Sequence, residues 1–164
     1  MSHIDASPPA AWELADAAAT RALGWHLATT LPAGALLLLH GDLGAGKTCL
    51  VQGLAEGLGI GEPITSPTFA LAQHYEGQRA DGAATALVHL DLYRLEDPAA
   101  ADELFAQEEE EAQALGAVLA VEWPERLSFL PEPCWRVQLE FTGEGRLARL
   151  WAVRPEAPAG ATFR

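Results

Sequence analysis

"ALLLLHGDLGAGKT", Ala35 to Thr48, carries the reading of the chain. Its first part is apolar almost throughout, the pattern of a strand buried on both faces in a parallel sheet. From Gly41 to Thr48 it fits G-x-x-x-x-G-K-[ST], a glycine loop that leaves a strand, opens a helix and cradles phosphate. Gly44 and Gly46 let the backbone approach an anion closely and take positive φ. The N–H groups of Gly44, Ala45, Gly46, Lys47, Thr48 and Cys49 would point at phosphate oxygens, reinforced by the positive end of the helix dipole. Lys47 would reach the outer phosphates and the Thr48 hydroxyl would ligate magnesium. Strand, loop and helix together predict a nucleoside-triphosphate site.

Around this stretch the pattern alternates strand and helix. "AWELA" (Ala11 to Ala15) alternates like a short strand, and Asp16 can cap a helix that the Pro32–Gly34 stretch ends. The helix after the loop runs from about Lys47 to Leu58, closed by Gly59 and Gly61. "ALAQHYE", "TALVHLDLY" and "GAVLAVEW" read as strands, with a helix over Asp97–Gln113 that has Pro98 in its first turn. "CWRVQLEF" and "RLARLWAV", joined by a short glycine-containing turn, read as a hairpin. The prediction is a three-layer P-loop NTPase-like α/β domain with a mainly parallel central sheet and a C-terminal β-hairpin. The 164 residues make one domain, 1–164, with 1–10 unstructured and 155–164 a loose tail.

Magnesium needs only one or two protein ligands beside phosphate and water. An acid ending a neighbouring parallel strand usually adds to the loop hydroxyl. Asp91, after "LVHL", and Glu122, after "AVLAV", both qualify, and spacing does not choose between them. "TSPTF" sets the hydroxyls of Thr65, Ser66 and Thr68 around Pro67, as a loop that orders on a γ-phosphate would. His89 reads as a hydrogen-bonded strand histidine and His40 as a strand-end residue. Trp123 either flanks the nucleotide or covers the sheet edge.

Charge excludes one class of function. The chain carries a net charge of −13 with ten Lys and Arg in all, too few to neutralise a nucleic-acid backbone. Between Arg94 and Arg126 there is no basic residue, yet ten of the 23 acids lie there. That block is a solvated helix face or a docking surface for a basic partner. No apolar run reaches the length of a membrane span. The N-terminus lacks a secretion pattern, and Cys49 and Cys134 read as reduced thiols of a cytoplasmic protein.

"GDLGAGKT", "TSPTF", "HLDLYRL" and "VEWPE", in this order, resemble the TsaE (YjeE) family of bacterial P-loop ATPases over about Asp16 to Glu125, roughly two thirds of the chain. The family is required for threonylcarbamoyladenosine (t6A) synthesis at adenosine 37 of tRNA. The resemblance implies partners, TsaB and TsaD, and ATP hydrolysis that is slow alone and depends on them. By the same resemblance Thr48 and Glu122 hold magnesium, with Gly44 to Cys49 around the phosphates of ATP. It also places Thr68 in a switch-like loop and makes Asp91 necessary for hydrolysis. Two departures stand out: Cys49 replaces a second threonine, and the "EEEE" segment, Glu108 to Glu111, lacks the glycine and aromatic pattern of the family.

The alternatives are a small-molecule or nucleoside kinase and a nucleotide-binding scaffold without turnover. A kinase needs arginines to enclose the transferred phosphoryl group, and the segment from Leu95 to Glu125 has no basic residue. An acidic protein that serves tRNA chemistry must act through another protein. At physiological salt, filter binding of this chain alone to tRNA is expected to give no salt-sensitive submicromolar complex. Such a complex would overturn this division of labour.

Overall fold

The computed structural model describes residues 2–4, 10–65 and 71–155. The predicted switch loop around Thr68 and the tail beyond Pro155 lie outside the described residues. Eight strands form one sheet in the order β1-β8-β7-β3-β6-β5-β4, with β2 also pairing with β8. Its centre is β7 (Cys134–Thr142), β3 (Leu36–His40), β6 (Val118–Glu122) and β5 (Ala84–Asp91), mutually parallel. The flanks are antiparallel: β4 (Ala72–Gln78) on β5, and β8 (Gly145–Pro155) on β7. The long β8 pairs in turn with β2 (Ala10–Leu14) and β1 (Ser2–Ile4). Ser2–Ile4 thus pairs as a strand within a segment that the sequence reads as unstructured.

Helices cover both faces, the three layers expected. Leu37 and Leu39 of β3 face the helices α1 (Ala17–Thr30) and α2 (Lys47–Gly57), while Leu38 faces α3 (Pro98–Leu115). All three leucines have no exposed surface, which accounts for the unbroken apolar run. Side chains cap two of the helices: Asp16 Oδ1 accepts from Ala19 N at 2.8 Å, and Asp97 Oδ1 from Ala99 N at 3.1 Å. The acidic face of α3 is largely exposed, but Glu108 is buried and bonds His74 Nε2 of β4 at 2.6 Å. One acid of the predicted solvated face therefore ties a helix to an edge strand. Among the described residues no helix is long and apolar enough to cross a membrane.

α1 and α2 cross backbone to backbone. A Cβ on Gly53 would stand 2.0 Å from the carbonyl oxygen of Arg21, and one on Gly24 2.1 Å from that of Leu50. Gly57 meets α1 likewise, 2.8 Å from the carbonyl oxygen of Trp25. These contacts offer backbone rather than yielding side chain, so a methyl group must part the helices. Gly53→Ala is expected to destabilise the protein by about 3 kcal/mol. Gly61→Ala, with nothing within 4 Å, should stay within about 0.5 kcal/mol. Urea unfolding midpoints of the two variants test the difference.

Candidate active site

The loop between β3 and α2 lies at the carboxyl ends of the parallel strands. Gly46 is the N-cap of α2 at φ 107°, a left-handed conformation that glycine adopts without strain. Unlike Asp16 and Asp97, it offers no side-chain cap, and the first turn contains no acid. The amide groups that open α2 therefore lack a side-chain acceptor, which makes them receptive to an anion.

The neighbouring strands deliver the acids. β5 and β6 pair in parallel register with Asp91 opposite Glu122, so both end at the same height beside the loop. The hydroxyl of Thr48 lies 3.1 and 3.2 Å from the two carboxylate oxygens of Glu122. Asp91 Oδ1 accepts from the backbone N–H of Tyr93 at 3.0 Å. Both acids line one cavity of about 440 Å³, together with Leu43 to Cys49, Leu71, Tyr93, Arg94 and Trp123. Every predicted site residue except Thr68, which lies outside the described residues, borders this space.

Lys47 is only 5% exposed and donates from Nζ to the carbonyl of Gly41. Burial lowers its pKa from the ordinary lysine value, against the attraction of Glu122, Glu125, Asp91 and Asp42. Its ammonium sits 3.8 Å from the centre of the Trp123 ring, a cation–π contact. Trp123 takes φ 59°, unusual for a bulky residue and a strain of about 1–3 kcal/mol. That turn directs the indole back over Lys47 and against Tyr93, with ring centres 4.9 Å apart. Trp123 thus borders the cavity.

The two flanking histidines behave as strand residues. His40 Nδ1 pairs with Glu125 at 2.6 Å, and its Nε2 accepts from Arg136 Nε of β7 at 3.0 Å. This links the base of the loop to the turn after β6 and to the hairpin. Burial works to raise the Glu125 pKa, but its bond to His40 and nearby positive charge hold it below the usual value. His89 Nε2 lies 2.6 Å from Glu122 Oε2, entirely buried. The Cys49 thiol donates to the carbonyl of Ala17 at 3.4 Å, engaged by α1.

Some neighbours escape sequence reasoning. Tyr93 and Arg94 stand two and three positions after Asp91, so the quoted "HLDLYRL" contained their signal. Arg146 reaches from β8 to the carbonyl of Gly44 at 3.2 Å, from more than a hundred positions away, and nothing local announces it.

Magnesium suits this donor set. Thr48 and Glu122 offer hard oxygens close together. That is the arrangement for a cation shared with phosphates and water.

A central parallel sheet, a glycine loop opening an uncapped helix and a hydroxyl–carboxylate pair beside it define a P-loop nucleotide-binding protein. Comparison with known proteins narrows the class. The family model "Threonylcarbamoyl adenosine biosynthesis protein TsaE" matches residues 14–149. A Nostoc protein named tRNA threonylcarbamoyladenosine biosynthesis protein TsaE is 45% identical over 132 residues, 80% of this chain and 78% of that one. Its namesake in Synechocystis is 49% identical over 121 residues, 72% of each chain. The crystal structure of Bacillus subtilis YdiB superposes with a TM-score of 0.67 at 28% identity, covering 92% of this chain and 87% of that one. The chain belongs to the TsaE family of threonylcarbamoyladenosine biosynthesis proteins, and a kinase is set aside.

Lys47→Ala tests the expected charge-assisted contact of its ammonium to phosphate. The expected loss is about 1.5–3 kcal/mol, roughly ten- to a hundredfold in ATP affinity, with an unchanged circular dichroism spectrum. Unaltered affinity in a nucleotide titration would remove Lys47 from the site.

Proposed function

We propose that the protein is a magnesium-dependent ATPase of the cytoplasm that supports t6A formation at adenosine 37 of tRNA, together with TsaB and TsaD. Its hydrolysis is slow alone and rises with those partners. The backbone from Gly44 to Cys49 holds the phosphates, and Lys47 neutralises the outermost. Thr48 and Glu122 hold magnesium, which when bound neutralises charge developing on the transferred phosphoryl group. Asp91 serves hydrolysis, and Thr68 belongs to the switch-like loop.

The Thr48–Glu122 contact carries this reading. It joins the first turn of α2 to the end of β6 at the mouth of the loop, where a phosphate-bound cation has to be held. The charge of −13 supports action through protein partners rather than directly on RNA. The ATP then resets a complex between rounds of transfer.

The test is ATP turnover with and without purified TsaB–TsaD, followed by reconstituted tRNA modification. Turnover should rise with the partners, and omission of the protein should stop repeated modification. Glu122→Gln keeps size and removes charge, so magnesium-dependent hydrolysis should fall at least tenfold while metal-free nucleotide binding changes little. If the metal titrations of Glu122→Gln and the unaltered protein superimpose, the ligand is Asp91 instead. Undiminished modification without the protein would refute the function.

A further inference from the structure

Glu122 is held from two sides, and the two contacts differ in kind. The Thr48 hydroxyl lies almost equally far from Oε2 and Oε1, at 3.1 and 3.2 Å. A donor so placed does little to fix the rotation of the carboxylate. His89 contacts one oxygen alone, Nε2 to Oε2 at 2.6 Å, and so breaks the symmetry.

The sheet register explains how it reaches. His89 lies opposite Ala120 on β6, two positions before Glu122, and Asp91 lies opposite Glu122. Residues two apart on a strand share a face. The fully buried Ala120 presents only a methyl group, and the imidazole bonds diagonally past it to Glu122. β5 thus supplies, two residues apart, a contact to Glu122 and an acid that lines the cavity.

The ring's other nitrogen points to the same role. His89 has no exposed surface, and its Nδ1 lacks a hydrogen-bond partner among the described residues. Burying an orphaned polar atom is costly, and an apolar side chain would fill the space without that cost. The bond to Glu122 is the interaction that offsets it. An ionised carboxylate only accepts, so Nε2 carries the hydrogen.

We propose that His89 is a positioning residue for Glu122: its Nε2–H pins Oε2 and leaves Oε1 turned toward the cation site beside Thr48. The inference rests on the magnesium site proposed above. His89 touches neither nucleotide nor metal, and acts through the carboxylate, as partners of ligating groups do.

The test titrates magnesium chloride against binding of a fluorescent (mant) ADP to the full-length protein, in parallel with binding in EDTA. Glutamine can place an amide donor where Nε2 stands, asparagine only nearer Nδ1, and leucine none. His89→Leu and His89→Asn should need at least tenfold more magnesium for half-maximal effect. Their EDTA affinities should stay within about twofold of the unaltered protein, and His89→Gln should recover most of the magnesium response. Superimposable magnesium titrations would overturn the inference, as would an equal loss of affinity in EDTA. If leucine prevents folding, the asparagine–glutamine pair decides; failure of all three variants to fold would also overturn it. An unaltered protein that shows no magnesium effect would refute the metal site itself, whereas a responsive protein with unaffected variants would refute His89 alone.

Discussion

The first turn of α2 has no side-chain cap, and the surrounding architecture meets at that point. A helix start with unsatisfied amides is tolerable where water or an anion accepts from them. Here it is held rigidly. β3 is clamped between β6 and β7, its leucines filling both faces of the sheet. The chain leaves β3 through a loop whose direction glycine geometry sets, and α2 then packs on α1. Parallel register brings the ends of β5 and β6 to the same edge, and with them Asp91 and Glu122. The topology itself concentrates donors and acids on one rim.

Acids outnumber the lysine at that rim, as they do in the protein as a whole. Lys47 is surrounded by Glu122, Glu125, Asp91 and Asp42, and its burial opposes its charge. Trp123 covers the ammonium with a ring face, adding attraction without another acid. Glu125 is engaged by His40, which in turn accepts from Arg136, so this acid is bound into the scaffold beside the loop. Phosphate would enter a setting in which one lysine, the helix amides and a cation offset the acids.

Much of this was legible in the sequence because the signals are local. The apolar run, the glycine loop and the Asp16 cap each depend on neighbours within a few positions, and the elements fall where those signals put them. Unread features depend on distant partners. β1 exists by pairing with the end of β8, and Arg146 meets Gly44 only after the hairpin folds back. Asp91 and Glu122 are indistinguishable in the sequence because each ends an apolar strand; in the structure Glu122 meets the Thr48 hydroxyl and Asp91 the backbone N–H of Tyr93. The left-handed turn at Trp123 had no local signal, since nothing in "VEWPE" demands positive φ of a tryptophan.

The glycine crossing between α1 and α2 gives the nucleotide loop an unexpected neighbour. Helices separated by ordinary side chains can slide by small rotamer changes, as cushions deform. Here carbonyl oxygens of each helix occupy the places where Cβ atoms of the other would stand, so there is no cushion. A shift of α1 by one residue would drive Leu23 or Trp25 into the backbone of α2. The two helices are geared together: a displacement of α2 along its axis must carry α1 with it, and through α1 the turn that leads back to β2.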